Sequence, residues 1–133
     1  ERGVIFDIGH GGGSCGFATS RAMLEAGFKP DVISSDVHIL SIDGPAFDLL
    51  HTLAKFHVLG MSLPEIVASA TVNAARAIRR PELGTLKPGA LGEASIFEVL
   101  EQPTEYRDVI GEVIQSNIAF KAHGLVLDGR WWT

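Results

Sequence analysis

Two short apolar runs, each ending at polar residues, constrain the fold of this chain more than any other feature. Residues 4–8 are rich in β-branched and aromatic side chains and stop at the glycine loop of residues 9–13. Residues 32–35 form the second run, which stops at Asp36. Such runs are typical of buried strands. Because one helix fits between them, the pattern predicts a βαβ unit with parallel strands and a right-handed crossover.

The helix of this unit is predicted from its ends and its spacing. Ser14 is placed to cap its first turn, and Gly27 is placed to end it. Small residues recur at the spacing of one helical face, which we expect to point inward. They are Cys15, Ala18, Ala22 and Ala26.

Two further helices and a β-rich end are predicted downstream. Asp43 and Pro45 suit the start of the first helix, which Gly60 ends. The second helix opens with a capping box at residues 62–65. Its apolar stripe consists of Ile66, Ala70, Ala74 and Ile78. Short β-prone pieces follow at residues 94–99, 106–110, 117–122 and 125–127. We therefore predict a boundary near residue 81, with an α/β part at 1–81 and a small β part at 82–133.

Composition excludes several classes of function. The chain has 133 residues, of which 46% are hydrophobic, and a net charge of −5, which disfavours a nucleic-acid surface. No apolar run reaches the length of a membrane span, so no membrane partner is expected. Cys15 is the only cysteine, which favours a reducing, cytoplasmic setting and excludes a disulfide framework. The chain opens without methionine directly before its first predicted strand, which suggests a fragment.

Candidate site residues lie where the two predicted strands end. Asp36 and His38 are one residue apart, so on a continuing strand they would project to the same face. Such a pair can serve as a metal ligand with its neighbour, a general base pair or a structural hydrogen bond. His10 ends the neighbouring strand, and adjacent strands lie about 5 Å apart. We therefore expect His10 and Asp36 to be able to meet in one cleft.

The glycine loop that begins at His10 allows three interpretations. The string His10-Gly11-Gly12-Gly13 matches the oxyanion loop of α/β-hydrolases, but the chain has no Gly-x-Ser-x-Gly elbow. A glycine loop ahead of a helix can also bind an anion, although neither phosphate-loop pattern is present. The third interpretation is a tight turn. The remaining histidines, His51, His57 and His123, are interpreted as packing, surface or structural residues.

Four segments of the chain share motifs with one enzyme superfamily. They are Phe6-Asp7-Ile8-Gly9-His10-Gly11, Pro30-Asp31-Val32-Ile33-Ser34-Ser35-Asp36-Val37-His38, Ala70-Thr71-Val72-Asn73-Ala74-Ala75-Arg76-Ala77 and Leu83-Gly84-Thr85-Leu86-Lys87-Pro88-Gly89. Together they resemble the last part of an amidohydrolase-superfamily metallohydrolase of the deacetylase and dihydroorotase-like branch. The most specific parts are the Ser-Ser-Asp strand end and the Thr-Val-Asn-Ala-Ala-Arg helix followed by Gly-Thr-Leu-Lys-Pro-Gly.

The resemblance implies an α/β fold: the last strands and helices of a (β/α)8 TIM-type barrel, followed by C-terminal strands of a small β-sandwich. It also implies a centre of one or two divalent metal ions, with zinc expected. Asp36 matches the aspartate of the eighth strand, which binds metal and transfers a proton. His10 then ends strand seven, which carries no metal ligand, so the resemblance assigns His10, with Gly11 beside it, to a small-molecule substrate. His38 is a further substrate-contact candidate.

The residues that are missing from the family pattern limit this expectation. No His-x-His pair occurs, and a (β/α)8 barrel takes around 250 residues, so this chain cannot close one. We expect a missing N-terminal barrel segment to complete it, or self-association as a homo-oligomer. The leading hypothesis is part of an amidohydrolase that cleaves amide or ester bonds of small acylated substrates and is inactive alone. The competing hypothesis is a non-catalytic, self-associating fragment or interaction module.

Overall fold

A computed structural model of the chain describes residues 3–132; the predicted fragment start at residues 1 and 2 lies outside them. The elements in chain order are β1 (Asp7–Gly9), α1 (Phe17–Glu25), β2 (Val32–Ser34), α2 (Leu49–Val58), α3 (Leu63–Ala70), α4 (Val72–Ala77), β3 (Ala94–Arg107), β4 (Val113–Leu127) and β5 (Arg130–Trp132). The strands form two sheets, a parallel pair and an antiparallel sheet of three.

The predicted βαβ unit is present. β1 and β2 are parallel, with Asp7 opposite Val32 and Gly9 opposite Ser34. The pairing continues past both strand ends, since the backbone N–H of Gly11 donates to the carbonyl of Ser35 at 2.9 Å. Each strand is only three residues long, shorter than predicted. The two carboxyl ends therefore lie side by side at one edge of the sheet.

The predicted start and inward face of α1 are wrong. The helix begins at Phe17 after Gly16 rather than after a Ser14 cap, and its buried residues are Phe17 and Ser20. The Phe17 backbone N–H donates to the carboxylate of Asp108 at 2.8 Å, a cap supplied from 91 residues along the chain. Of the four residues predicted to face inward, Cys15 is buried just before the helix, whereas the three alanines are exposed. Burying the large Phe17 ring gains more than burying methyl groups, so this contact sets the rotation of the helix.

The next helices also differ from the predicted ones. α2 begins at Leu49 and is capped by Asp48, whose carboxylate accepts from the His51 backbone N–H at 2.6 Å, so neither Asp43 nor Pro45 starts it. The capping box at the start of α3 is confirmed. The single helix predicted to run on from it is broken at Thr71, whose backbone lies against Gly84. Beyond the break, Ile78 is exposed.

The antiparallel sheet consists of fewer and longer strands than predicted. β3 and β4 pair along almost their whole lengths, and β5 pairs with the end of β4. Pro103 lies in a register shift between Glu101 and Thr104, where its missing N–H interrupts the ladder without ending the strand. β3 stops at Arg107 because the Asp108 carboxylate accepts backbone N–H bonds from Ile110 and Glu112 and closes a turn. The sandwich and the boundary near residue 81 stay predictions.

Two apolar clusters hold these elements together. One contains Cys15, Ile33, Phe56 and Ile66 and lies between the parallel strands and the helices. The other consists of Phe17, Ala54 and Tyr106, so it joins α1, α2 and β3. Within residues 3–132, no helix is both long and apolar enough to cross a bilayer. The second cluster therefore fixes the antiparallel sheet to α1 and α2.

Candidate functional site

Asp36 lies two residues beyond the end of β2, in the loop that leaves the sheet edge. Its backbone φ is +48°, a left-handed conformation that ends the extended run of the strand. The residue is exposed. Aspartate tolerates this conformation better than most residues. The carboxylate therefore stands at the carboxyl edge of the parallel pair, where the sequence predicted it.

Two glycines leave room for this carboxylate. A Cβ atom added to Gly11 would lie 2.6 Å from Asp36 Oδ2, and one added to Gly9 would lie 3.0 Å from Asp36 Cβ. Gly11 also has a φ of +47°, which favours glycine. The Asp36 side chain therefore packs over the main chain of the first strand end. Residues 11–14 form a turn, as the third interpretation predicted. Gly9 and Gly11 also make room for Asp36, a role that none of the three interpretations included.

His10 follows β1, but its ring points into the protein. The side chain is fully buried. Its Nδ1 lies 3.0 Å from the Gly11 carbonyl oxygen and its Nε2 lies 2.8 Å from Lys55 Nζ. No hydrogen bond joins His10 to Asp36 in the described part of the chain, so the expected meeting of the two side chains in one cleft does not occur here. A substrate role for His10 stays a prediction.

The protonation of His10 follows from its partners. A carbonyl oxygen only accepts, so Nδ1 carries the proton and donates to Gly11, while Nε2 accepts from the Lys55 ammonium. Burial is the main cause that lowers the pKa of His10, and the Lys55 charge lowers it further, against the bond to Gly11. The ring is therefore neutral and held in one tautomer.

His38 lies two residues beyond Asp36 and is exposed. Its Nδ1 accepts the backbone N–H of Leu40 at 3.2 Å, and its own backbone N–H donates to Ser41 Oγ at 3.0 Å. Asp36 and His38 do not share a strand face as predicted, because β2 ends at Ser34 and the chain turns at Asp36. A substrate contact by His38 stays a prediction.

Lys55 is a buried charge that the sequence analysis missed. Its side chain on α2 is fully buried, and Nζ donates to three acceptors: His10 Nε2, the Pro45 carbonyl at 2.5 Å and the Arg107 carbonyl at 2.7 Å. Burial lowers the pKa of Lys55 to about 8, so the group is mainly charged at neutral pH. A single lysine within the apolar helix sequence Leu49–Val58 was the signal available.

The remaining polar groups near the strand ends line an open cleft of about 350 Å³. Asp7, Gly9 and Asp36 lie on its strand side, and Thr19 and Ser20 of α1 lie opposite. Both carboxylate oxygens of Asp7 lie 3.0 Å from the Ser34 hydroxyl, which donates to that group.

The described residues offer one part of a metal site. Among residues 3–132, no group of three or more His, Cys, Asp or Glu side chains is placed to hold an ion. Asp36 is exposed at a strand end, and carboxylates are common ligands of zinc and harder cations. The chain therefore suits a metal only as a contributor of one ligand to a site that other residues complete.

Comparison with known proteins identifies the class. The amidohydrolase family model matches residues 15–131. A deacetylase of Brucella anthropi is 31% identical over 94% of this chain, and a deacetylase of Enterococcus faecalis is 34% identical over 84%. The chain therefore belongs to the amidohydrolase family. It spans 31% and 30% of the lengths of these two relatives, so it corresponds to only part of them.

Solved structures agree with this assignment. The chain matches the crystal structure of an adenine deaminase with a TM-score of 0.94 and 30% identity, covering 98% of this chain and 36% of that one. It matches the crystal structure of a dihydroorotase with a TM-score of 0.90 and 29% identity, covering 98% and 35%. Together with the parallel β1–β2 pair, these matches are consistent with part of a barrel.

Proposed function

We propose that this chain is the C-terminal portion of a metal-dependent hydrolase that cleaves amide or ester bonds of a small acylated substrate. The observation that carries the proposal is the Asp36 carboxylate, exposed at the strand edge and seated over Gly9 and Gly11. Family membership and the two deacetylase relatives support a hydrolytic reaction. The remaining strands of a (β/α)8 barrel, with the other ligands, would come from residues outside this sequence.

The chemistry assigned to this chain is binding and proton transfer by Asp36. One or two divalent ions, zinc by preference, would supply an acidic bound water near neutral pH. Asp36 would hold the ion through its carboxylate. It would accept a proton from the attacking water and pass it to the leaving nitrogen or oxygen. His38 and the main chain of Gly11 are proposed substrate contacts.

Self-association without catalysis is the second candidate function. Ile39 and Leu40, next to Asp36, are 83% and 85% exposed. Contiguous exposed apolar residues of this kind mark interaction surfaces. A homo-oligomer, or a separate segment that completes the sheet, would cover them.

Zinc content and hydrolysis test the proposal in the natural polypeptide that carries these residues. We expect bound zinc and cleavage of an N-acetyl or O-acetyl model substrate in the parent, and loss of both in Asp36→Asn, which keeps the shape and removes the charge. Asp43→Asn, on an exposed turn, is the matched control and should change neither. Unchanged zinc and rate in Asp36→Asn would overturn the proposal. A metal-free, inactive oligomer of the natural polypeptide would support the second candidate.

A further inference from the structure

We propose that His10, in the tautomer fixed by Lys55, is a positioning residue that sets the location of the Asp36 carboxylate through Gly11. The inference rests on the proposed function, because it concerns the ligand that Asp36 would supply. It replaces a direct substrate contact as the main role of His10. Three contacts carry it, each between described residues.

The first contact anchors the imidazole from α2. Lys55 Nζ has three donors and three acceptors within hydrogen-bond distance, so it has no proton left for another partner. Two of the acceptors are main-chain carbonyls. One belongs to Pro45, before Lys55 in the sequence, and the other to Arg107, after it. The His10 Nε2 atom therefore faces a donor that cannot rotate away.

The second contact passes from the imidazole to the loop. Because Nε2 must accept, Nδ1 must donate, and its partner is the carbonyl of Gly11 at 3.0 Å. The backbone N–H of Gly11 donates to Ser35, so the peptide groups on both sides of this glycine are fixed. Gly11 has a φ of +47°, and glycine in that region is otherwise free to move.

The third contact passes from the loop to the carboxylate. The Cα atom of Gly11 faces Asp36 so closely that a Cβ atom there would lie 2.6 Å from Oδ2. A displacement of Gly11 toward Asp36 would push the carboxylate, and a displacement away would leave it unsupported. The buried ring of His10 therefore controls the position of the exposed Asp36 carboxylate.

Two substitutions of His10 separate the two hydrogen bonds. In His10→Asn the side-chain amide can replace the Nδ1 donor to Gly11, but it is too short to reach Lys55. In His10→Gln the amide oxygen can replace Nε2 as the acceptor for Lys55, but the donor to Gly11 is lost. We expect His10→Gln to bind Zn²⁺ about tenfold or more weakly than the parent, as for other partners of metal ligands. His10→Asn should keep zinc affinity within about threefold and lose thermal stability instead.

Zn²⁺ affinity is measured by chelator competition, and stability by the thermal midpoint. In the metal-free natural polypeptide, nitrogen-15 NMR reports the tautomer of the imidazole and carbon-13 NMR reports the Asp36 carboxyl. The parent should show the Nδ1–H tautomer, and the Asp36 signal should shift in His10→Gln but not in His10→Asn. The opposite tautomer, an unmoved Asp36 signal in His10→Gln, or equal losses of affinity in both variants would overturn the inference. If His10→Gln shifts the Asp36 signal as expected but the parent binds no zinc, the positioning role would be sustained and the proposed function refuted.

Discussion

The parallel pair and the antiparallel sheet differ in how they form their backbone hydrogen bonds. β1 and β2 are three residues long, whereas β3 and β4 have 14 and 15 residues and pair with each other across a five-residue turn. The antiparallel sheet thus completes its long ladder with neighbouring sequence. The parallel pair is short, and exposed apolar residues surround it. The candidate site lies in the region that is least complete by itself, so its geometry depends on the links to the other region.

The largest expected effect comes from removing the link at Lys55. Lys55→Met keeps the length of the side chain but leaves three buried acceptors without a donor, so we expect a loss of about 3 kcal/mol in the free energy of unfolding. Urea denaturation of the natural polypeptide measures it. Lys121→Met, on the exposed surface of β4, is the control and should stay within about 0.5 kcal/mol. Equal effects would show that Lys55 does not join the two regions.

Asp108→Ala breaks the second link and should cost about 2 kcal/mol, because the backbone N–H groups of Phe17, Ile110 and Glu112 lose their acceptor. Burial alone raises the pKa of Asp108, but these donors outweigh it and leave the pKa below its usual value. The folded state therefore binds a proton less readily than the unfolded state, and this stability is lost as the pH falls below about 4. Denaturation measured as the pH is lowered below about 4 should show a smaller loss of stability in Asp108→Ala than in the parent. The exposed Asp43→Ala should retain the full acid effect.

His51 provides a pH test of the same junction. Its ring lies between Phe47 and Tyr106, and burial, followed by the Lys55 charge, lowers its pKa to about 4 from 6.5. Between those values the unfolded state binds more protons, so stability should rise with pH from 4 to 6.5. His51→Gln should flatten that rise and change little at pH 7. An unaltered slope in acid denaturation experiments would place the ring in solvent.

The smallest effect is expected at the cap of α3, the helix whose Ile66 packs with Ile33 of β2. The Lys29 ammonium first, and then the Ser62 groups, lower the pKa of the exposed Glu65 to about 2. Glu65→Gln weakens both contacts, so amide hydrogen exchange should rise in the first turn of α3 with little change in global stability. This local stabilisation is fully present at a pH above the usual pKa of glutamate and is lost as the pH falls toward 2. Glu101→Gln, on β3, should leave that turn unchanged.

The sequence predicted what depends on local pattern and missed what depends on distant partners. The βαβ unit, the α3 capping box and the place of Asp36 follow from short-range spacing, and all three are present. The start of α1 could not be predicted, because its cap is Asp108, 91 residues away. The orientation of His10 was missed for the same reason, since its ring is held by a lysine 45 residues further along.

The strand face was misjudged for a different reason. Side chains alternate between faces only where the backbone is extended. Asp36 has a left-handed conformation, so the alternation does not continue to His38. Nothing in the residue pair itself signals the turn. Glycines at positions 9 and 11 were the available clue, because a loop that needs two positions without Cβ has something packed against it.

The acceptors of Lys55 have a consequence for how this protein can change over time. Two of its three bonds end on main-chain carbonyls, at Pro45 and Arg107, which every amino acid supplies. Substitution at either position leaves those oxygens in place. Only at position 10 does the bond depend on the side chain. Covariation across relatives should therefore couple position 55 to position 10 and to neither of the others, although all three acceptors lie 2.5 to 2.8 Å from the ammonium.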